Sequence, residues 1–276
     1  MRAGATPGRP MISPLMLRGL WSYRSFVLGS VKREFQSKYS NAILGATWSL
    51  LSPLAMIVVY TVIFTEVMRS KLPGSDNTFA YSIYLCAGIL TWGLFAEIVA
   101  RAQNMFIDQA NLIKKISFPR ICLPLIVVLN AGLNFAIVFG LFTMFLLATG
   151  NFPGAVYFAI LPILLLQVMF AIGLGTIVGV LNVFFRDVGQ FFVIFTQFWF
   201  WFTPIVYPAS ILPEAVRPLL DWNPMARIIG AYQTILVHGR LPDWSSLVPA
   251  LVLSVLICLF AMRLFRKRSG EMVDEL

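Results

Sequence analysis

The sequence predicts an all-α membrane protein with six transmembrane helices. Of its 276 residues, 59% are hydrophobic and only 12% are charged, whereas a soluble domain is roughly 45–50% apolar and about 25% charged. A helix needs about 20 apolar residues to cross a bilayer. Six segments meet that requirement and together define one membrane domain over residues 44–265: residues 44–67, 79–100, 121–149, 155–184, 189–207 and 247–265.

The distribution of basic residues predicts that both termini lie in the cytoplasm. With the N-terminus inside, the cytoplasmic segments hold 16 of the 21 lysine and arginine residues, and the opposite side holds five. Membrane proteins keep Lys-rich and Arg-rich connections in the cytoplasm. We therefore attribute the net charge of +9 to the basic segments that orient the helices in the membrane, and no nucleic-acid partner is expected. Residues 266–276 are predicted to form a cytoplasmic tail.

The N-terminal region is predicted to contain a helix that lies on the membrane. Residues 1–13 are rich in Gly, Pro and Arg and are expected to form a flexible tail. Residues 14–43 are expected to form an amphipathic helix in the cytoplasmic interface, followed by a linker. The apolar residues near one face of that helix are Leu17, Leu20, Trp21, Leu28, Val31 and Phe35.

Residues 208–237 fit neither a span nor a polar loop. They contain two apolar stretches, PASILPEAVRPLL and PMARIIGAYQTIL, separated at Asn223 and Pro224. Each stretch is too short to span a bilayer. Because irregular backbone is costly in lipid, the sequence predicts an outer re-entrant helical hairpin, sheltered by protein, between spans five and six.

The connection between spans two and three, residues 101–120, contains the stretch NLIKKISFPR. The connection can be helical from Arg101 to Ser117, and Pro119 then stops or redirects the helix. Apolar residues on a connection that should face water, rimmed by charge, are typical of a docking surface for another protein. The alternative is that its lysines only anchor the connection in the cytoplasm.

Residues that could perform chemistry are few. Cys86, Cys122 and Cys258 are far apart, and His238 is the only histidine, so neither a disulfide framework nor a metal site is predicted. The chain lacks the G-x-x-x-x-G-K-[ST] motif of a P-loop. No catalytic residue and no cofactor are expected in this chain. Glu97, near the inner end of span two, is predicted to pair with Arg101 one turn later.

Four stretches carry a family resemblance: LGATWSLLSPLAMIVVYTVIFTEV, NLIKKISFPR, NVFFRDVGQF, and TPIVYP followed by NPM and AY. With them the sequence resembles the membrane subunit of type-2 ABC exporters, of the branch that moves lipid-linked polysaccharides such as O-antigen, capsule or teichoic acid. It departs from that family at Gln233, where arginine is frequent.

The resemblance implies a multi-pass permease of the bacterial inner membrane. Two copies would enclose a pore, and two copies of a separate cytoplasmic ATPase, which binds ATP and Mg, would drive export of a lipid-linked glycan. The stretch NLIKKISFPR would be the coupling helix that contacts the ATPase. Its residues are Asn111, Leu112, Ile113, Lys114, Lys115, Ile116, Phe118, Pro119 and Arg120.

The turn with Arg186 and Asp187 has two interpretations. It is either a second contact with the ATPase or the interfacial helix, or a self-neutralising pair at a helix end.

Span five has an aromatic face at i, i+4, i+7, i+11 spacing. Aromatic faces suit sugar rings and allow sliding, although on composition alone such residues are more often lipid-facing or packing residues. The resemblance favours a pore, because channels of this branch are lined by aromatics from spans one and five. The predicted pore residues are Trp48, Tyr60, Phe64, Phe195, Phe198, Trp199 and Phe202.

A lipid diphosphate needs cations at the cytoplasmic entrance. The candidates are Arg24, Lys32, Arg33 and Lys38, with contact to ordinary membrane lipid as the alternative for each. Competing functions are an ABC-2 exporter of a lipid or drug, a secondary transporter, and a membrane glycosyltransferase. The sequence has neither the internal repeats nor the mid-membrane ionisable residues of secondary transporters, and its outer acidic residues form no clustered motif.

Overall fold

The computed structural model describes residues 23–39, 47–63, 77–115, 122–215 and 217–275, and the regular secondary structure in these ranges is helical. No β-strand occurs within these ranges. The all-α prediction is therefore confirmed for them. The helices are α1 (Arg24–Tyr39), α2 (Trp48–Val62), α3 (Ala80–Asp108), α4 (Ala110–Lys115), α5 (Cys122–Ala148), α6 (Ile160–Phe184), α7 (Asp187–Trp201), α8 (Arg217–Asp221), α9 (Pro224–His238), α10 (Trp244–Arg268) and α11 (Glu271–Glu275).

Four of the described helices are long and apolar enough to cross a membrane. They are α3, α5, α10, and α6 together with the 3₁₀ turn before it, Gly154–Phe184. They match the second, third, fourth and sixth predicted segments, which are confirmed as long apolar helices. The helix of the second segment continues eight residues beyond the end of the predicted span, to Asp108, which agrees with the expectation that the connection can be helical from Arg101.

The first and fifth predicted segments form shorter helices. α2 has 15 residues, and residues 44–46 and 64–67 of its predicted segment lie outside the described residues. α7 also has 15 residues and is about 22 Å long at 1.5 Å per residue. It ends at Trp201, six residues before the predicted end at 207, because Pro204 and Pro208 prevent continuation of the helix.

The core of the subunit is the contact between α3 and α6, with α5 and α9 packed on α3 and α10 packed on α6. Glycines let the two central backbones approach closely. A Cβ atom at Gly175 would lie 2.6 Å from the Ala102 Cβ, and one at Gly179 would lie 2.4 Å from the Ala102 carbonyl oxygen. Small residues at helix contacts are the usual way to gain packing in a membrane, where lipid is as apolar as the helices.

The predicted outer hairpin is only half helical. Its second arm is α9, which begins at Pro224 after Asn223 accepts hydrogen bonds from the N–H groups of Met225 (3.1 Å) and Ala226 (3.4 Å). α9 is packed into the core, where Tyr232 is fully buried. The first arm is not a continuous helix, because prolines at 208, 213 and 218 interrupt it. It consists of the 3₁₀ turn Ala209–Ile211 and the five-residue α8.

The N-terminal helix α1 packs against α5. Its most buried residue is Val27, at 3% exposure, which the sequence pattern did not select. Leu28, placed on the apolar face by that pattern, is 62% exposed. Leu17, Leu20 and Trp21 lie outside the described residues.

Candidate functional site

The predicted docking segment follows α3 almost without interruption. Gln109 is the one residue between α3 and α4, so the docking segment is joined directly to the C-terminal end of α3. The Asn111 and Lys114 side chains are exposed. The side chains of Leu112, Ile113 and Lys115 lie outside the described part of the structure, as do Ile116, Phe118, Pro119 and Arg120 altogether.

The C-terminal segment lies beside the docking segment. α11 contacts both α4 and α6, and its Met272 is 2% exposed. Arg268, at the end of α10, pairs with Glu271 and places its guanidinium 5.7 Å from the centre of the Phe184 ring. This segment therefore packs against the C-terminal end of α6, a contact that the prediction of a tail over residues 266–276 did not include.

A polar network joins α1, α3 and α5 near the same end of the subunit. Arg101 and Glu97 form the predicted ion pair, at 2.9 Å. Arg101 also pairs with Glu34 of α1, Asn130 of α5 donates a hydrogen bond to Glu34, and the Asn134 amide donates to Glu97 at 2.9 Å. The pair prediction is confirmed. The three additional partners were missed, because only the fold brings residues 34, 130 and 134 to the C-terminal half of α3.

A cavity of about 520 Å³ opens between α1, α3 and α5 beside this network. Of the predicted entrance cations, Arg33 lines it and donates a hydrogen bond to Ser30 at 3.0 Å. Arg24 and Lys32 are exposed and are not among the lining residues. The Lys38 side chain lies outside the described residues. Glu34 and Asp108 also line the cavity, so its charge is mixed.

Most of the predicted aromatic face of α7 is exposed. The exposed fractions are 67% for Phe191, 41% for Phe195, 62% for Phe198 and 69% for Phe202. Such an apolar aromatic surface can face lipid, a second protein copy or a sugar chain.

Trp199 points instead into the subunit. Its ring lies 5.3 Å from the ring of Phe95 and 6.1 Å from those of Trp92 and Phe170, measured between centroids. Its indole N–H donates a hydrogen bond to the Asn223 side-chain oxygen at 2.9 Å. Neighbouring residues of α7 thus face opposite environments, which the sequence spacing alone did not distinguish.

The remaining pore candidates lie on or beside α2. Tyr60 is half-buried and packs on the core, whereas the Trp48 side chain and the whole of Phe64 lie outside the described residues. The rest of α2 presents a largely exposed apolar surface that includes Leu50, Leu51, Leu54, Val58, Val59 and Val62. α2 and α7 therefore both offer apolar surface that the subunit itself does not cover.

The turn before α7 exposes both of its charged side chains, Arg186 and Asp187. Asp187 is the first residue of α7, where a negative charge interacts favourably with the helix dipole. The same stretch, NVFFRDVGQF, contains Asn182, whose side chain is buried and hydrogen-bonded to two other helices. Sequence reasoning singled out the charged pair and missed this asparagine, because its role depends on contacts between helices.

A second cavity, of about 490 Å³, lies where α9 meets the irregular segment that follows α7. Gln233, at the position where the resemblance leads us to expect arginine, is buried and donates a hydrogen bond to the Pro204 carbonyl at 3.2 Å. Arg227 pairs with Asp221 at 2.7 Å across the same cavity. The neutral amide thus ties α9 to the irregular segment.

Comparison with known proteins gives one family and several relatives. Residues 27–237 match the family model described as "ABC-2 type transporter". The O-antigen export system permease protein of Myxococcus xanthus is 30% identical over 95% of this chain and 99% of its own length. A Klebsiella pneumoniae protein of the same description is 31% identical over 76% of this chain and 79% of its own length. The polysialic acid transport protein of Escherichia coli is 19% identical over 87% of this chain and 92% of its own length.

Proposed function

The chain belongs to the ABC-2 type transporter family, and we propose that it is the membrane-spanning subunit of an ATP-driven exporter of a lipid-linked polysaccharide. The observation that carries the proposal is the match, over 95% of the chain, to an O-antigen export permease. A polyprenyl-diphosphate-linked O-antigen or a similar glycan is the proposed cargo, and the bacterial inner membrane is the proposed location.

The proposed topology has six spans with both termini in the cytoplasm. α2 and α7 supply the first and fifth spans, beside the four long helices. The segment from Pro208 to His238 lies on the outer side as a partly helical re-entrant element. The excess of lysine and arginine in the segments assigned to the cytoplasm supports this orientation.

The proposed assembly is two copies of this chain with two copies of a cytoplasmic ATPase, which holds ATP and Mg. The exposed apolar surfaces of α2 and α7 support contact with a second copy, because the subunit itself leaves them uncovered. The ATPase docks on α4 and residues 116–120, with Arg186 and Asp187 as a second contact. The direct connection from α4 into α3 supports this role.

The proposed path for the glycan runs along the aromatic side of α7 and the facing surface of α2. Phe191, Phe195, Phe198 and Phe202 are exposed and can stack on sugar rings while the chain slides. The cavity beside α1 is the proposed cytoplasmic entrance. Arg33 supplies a cation there for the lipid diphosphate.

An exporter of a simple lipid or a drug is the main alternative, since the fold alone does not select the cargo. The three relatives described above are named for O-antigen or polysialic acid, which favours a polysaccharide. A secondary transporter is disfavoured, because the sequences of the long helices α5 and α6 contain no Asp, Glu, Lys or Arg, whereas coupling ions in such transporters need ionisable residues within the membrane.

The proposal is tested by purifying the tagged chain from its native host in mild detergent and identifying the co-purified proteins and lipids by mass spectrometry. We expect a P-loop ATPase in equal amount, together with a polyprenyl-diphosphate glycan. The variant Lys114→Glu/Lys115→Glu should lose the ATPase. The matched variant Arg266→Glu/Lys267→Glu, with the same charge change at the end of α10, should keep it. Recovery of the intact chain without any ATPase would contradict the proposal.

A further inference from the structure

The side-chain hydrogen bonds that join α7 to other helices lie near its two ends, and Phe192 packs on the core between them. At the inner end, Gly189 is buried. At the outer end, Trp199 packs among aromatic rings and bonds to Asn223. Along one side of α7 lies a crevice of about 490 Å³, lined by Ala96 of α3 and Val193 and Thr196 of α7 among others. A helix held near its ends, with space along one side, can change position without disrupting a close-packed core.

The inner attachment depends on one buried side chain, Asn182, which is 3% exposed. Its amide nitrogen donates a hydrogen bond to the carbonyl oxygen of Gln103 in α3, at 3.0 Å. Its amide oxygen accepts a hydrogen bond from the Gly189 N–H of α7, at 3.0 Å. One side chain of α6 thus joins α3 to α7.

The fit around this amide is close on the α7 side. A Cβ atom at Gly189 would lie 2.6 Å from the Asn182 amide oxygen, so any larger residue would push α7 away. The contact between α3 and α6 does not need Asn182, because Gly175 and Gly179 already pack those helices together. What Asn182 adds is the connection to α7.

We propose that Asn182 is a positioning residue that transmits displacement of α4 and the inner end of α3 to the aromatic helix α7. The inference rests on the proposed function, in which an ATPase moves α4. Gln103 lies seven residues before the start of α4, so its carbonyl oxygen moves with the docking segment. Because an unpaired buried amide is costly, the Asn182 side chain follows that carbonyl and draws the Gly189 N–H with it.

Three variants test separately the contacts of Asn182 with α3 and with α7. Asn182→Ala removes all three hydrogen bonds of this side chain: those with the Gln103 carbonyl, the Asn104 amide oxygen and the Gly189 N–H. Asn182→Asp keeps an acceptor for the Gly189 N–H but has no amide donor for the Gln103 carbonyl. Gly189→Ala disturbs only the α7 side. The matched control is Asn104→Ala, which removes only the longest of the three, the 3.3 Å hydrogen bond that the Asn182 nitrogen donates to the Asn104 amide oxygen, and leaves both 3.0 Å hydrogen bonds in place.

The first measurement does not require cargo. Spin labels are attached at Gln190→Cys in α7 and Arg263→Cys in α10, both exposed positions, with the half-buried Cys258 replaced by alanine. In the complex with the ATPase, we expect the distance between labels to change by about 2–5 Å on trapping with ATP and vanadate. Asn182→Ala, Asn182→Asp and Gly189→Ala should abolish the change, and Asn104→Ala should retain it. An unchanged response in Asn182→Ala, or no response in the labelled parent protein, would overturn the inference.

The second measurement is glycan exported per ATP hydrolysed in reconstituted vesicles. We expect Asn182→Ala to lower this ratio about 5- to 100-fold while ATP hydrolysis continues. The effect of Gly189→Ala should be smaller in the Asn182→Ala background, because the two residues form one contact. If Asn182→Ala cannot be recovered as a complex, the same two measurements are made on Gly189→Ala. A label response and an export ratio equal to those of the parent protein would then overturn the inference. A label response that depends on Asn182 in a complex that exports no glycan would support the inference and contradict the proposed cargo.

Discussion

Two consecutive helices, α6 and α7, have opposite relations to the rest of the subunit. α6 is packed against α3 and α10, and its glycines bring its backbone almost into contact with that of α3. α7 starts three residues after α6 ends, yet Gly189 is the residue of α7 that is buried. The difference separates a rigid part of the molecule from a part whose apolar surface is left for contacts outside the subunit.

This division has a physical reason. In lipid, helices gain little from burying apolar side chains, so close association depends on small residues that increase van der Waals contact. α6 has such residues at Gly173, Gly175 and Gly179, whereas α7 carries large aromatic rings. Large rings keep neighbouring backbones apart, which suits a helix that lines a path or contacts a second copy.

The largest effect should follow from a side chain added where α6 meets α3. Gly179→Val places its Cβ 2.4 Å from the Ala102 carbonyl oxygen, and we expect a loss of roughly 3 kcal/mol or more in the free energy of unfolding. Gly132→Ala on α5, where an added Cβ meets no atom within 4 Å, is the control and should be nearly neutral. Thermal unfolding of the detergent-solubilised protein measures both. Equal midpoints for the two variants would remove the basis for calling α6 the rigid element.

Adjacent residues of α7 should respond differently to truncation. Trp199→Ala should destabilise the protein by about 2–3 kcal/mol, because the indole packs on three rings and is only partly exposed. Phe198→Ala should leave the melting temperature nearly unchanged, because that ring is 62% exposed. The same Phe198 variant should lower glycan export in cells. The comparison fails if Phe198→Ala destabilises the protein as much as Trp199→Ala does.

An intermediate effect is expected from the polar network that holds α1. Arg101→Ala would leave Glu97 and Glu34 without their shared cation, and we expect a loss of about 1–2 kcal/mol, below that of a fully buried pair because the side chains are partly exposed. Arg263→Ala, which removes an exposed arginine from α10, provides the control. Chemical denaturation followed by tryptophan fluorescence measures the stability of both variants. Identical midpoints would contradict a stabilising role for the polar network.

The smallest effect concerns the residues that cap the N-termini of α9 and α10. Their contributions to stability should depend differently on pH. Asp243 caps α10, and hydrogen bonds from Ser245 lower the pKa of its carboxyl group. A group whose pKa is lowered by folding stabilises the protein above its unfolded pKa and loses that contribution as pH falls through the folded pKa. The melting-temperature difference between the parent protein and Asp243→Ala should therefore shrink below about pH 4.

The neutral cap of α9, Asn223, provides the matching comparison, because its amide does not titrate. The melting-temperature difference caused by Asn223→Ala should not change over the same pH range. A pH-independent difference for Asp243→Ala would contradict the assignment of its carboxylate as a charged cap.

The elements that repeat a simple pattern could be predicted from the sequence. The long apolar runs of α3, α5, α6 and α10, and the pair of Glu97 and Arg101 one turn apart, depend on local spacing, and the structure contains all of them. The end of α7 and the broken first arm of the outer segment were predicted less well, because Pro204 and Pro213 act against an apolar composition that favours a helix.

Contacts between distant parts of the chain could not be predicted from spacing. Glu34 reaches Arg101 across 67 positions, and Asn182 reaches Gln103 across 79. The choice of Trp199, rather than Phe198, for the core depends on how α7 is rotated against α3. Only the packed arrangement of the helices determines that rotation.

The central claim is that this chain moves a lipid-linked glycan with energy supplied by a partner ATPase. Its most direct test is ATP-dependent accumulation of polyprenyl-diphosphate-linked glycan inside inside-out vesicles that contain the chain and the ATPase recovered with it. We predict accumulation that requires hydrolysable ATP and disappears in the Lys114→Glu/Lys115→Glu variant. Glycan accumulation that proceeds equally without ATP, or none in vesicles whose ATPase is active and bound, would contradict the account.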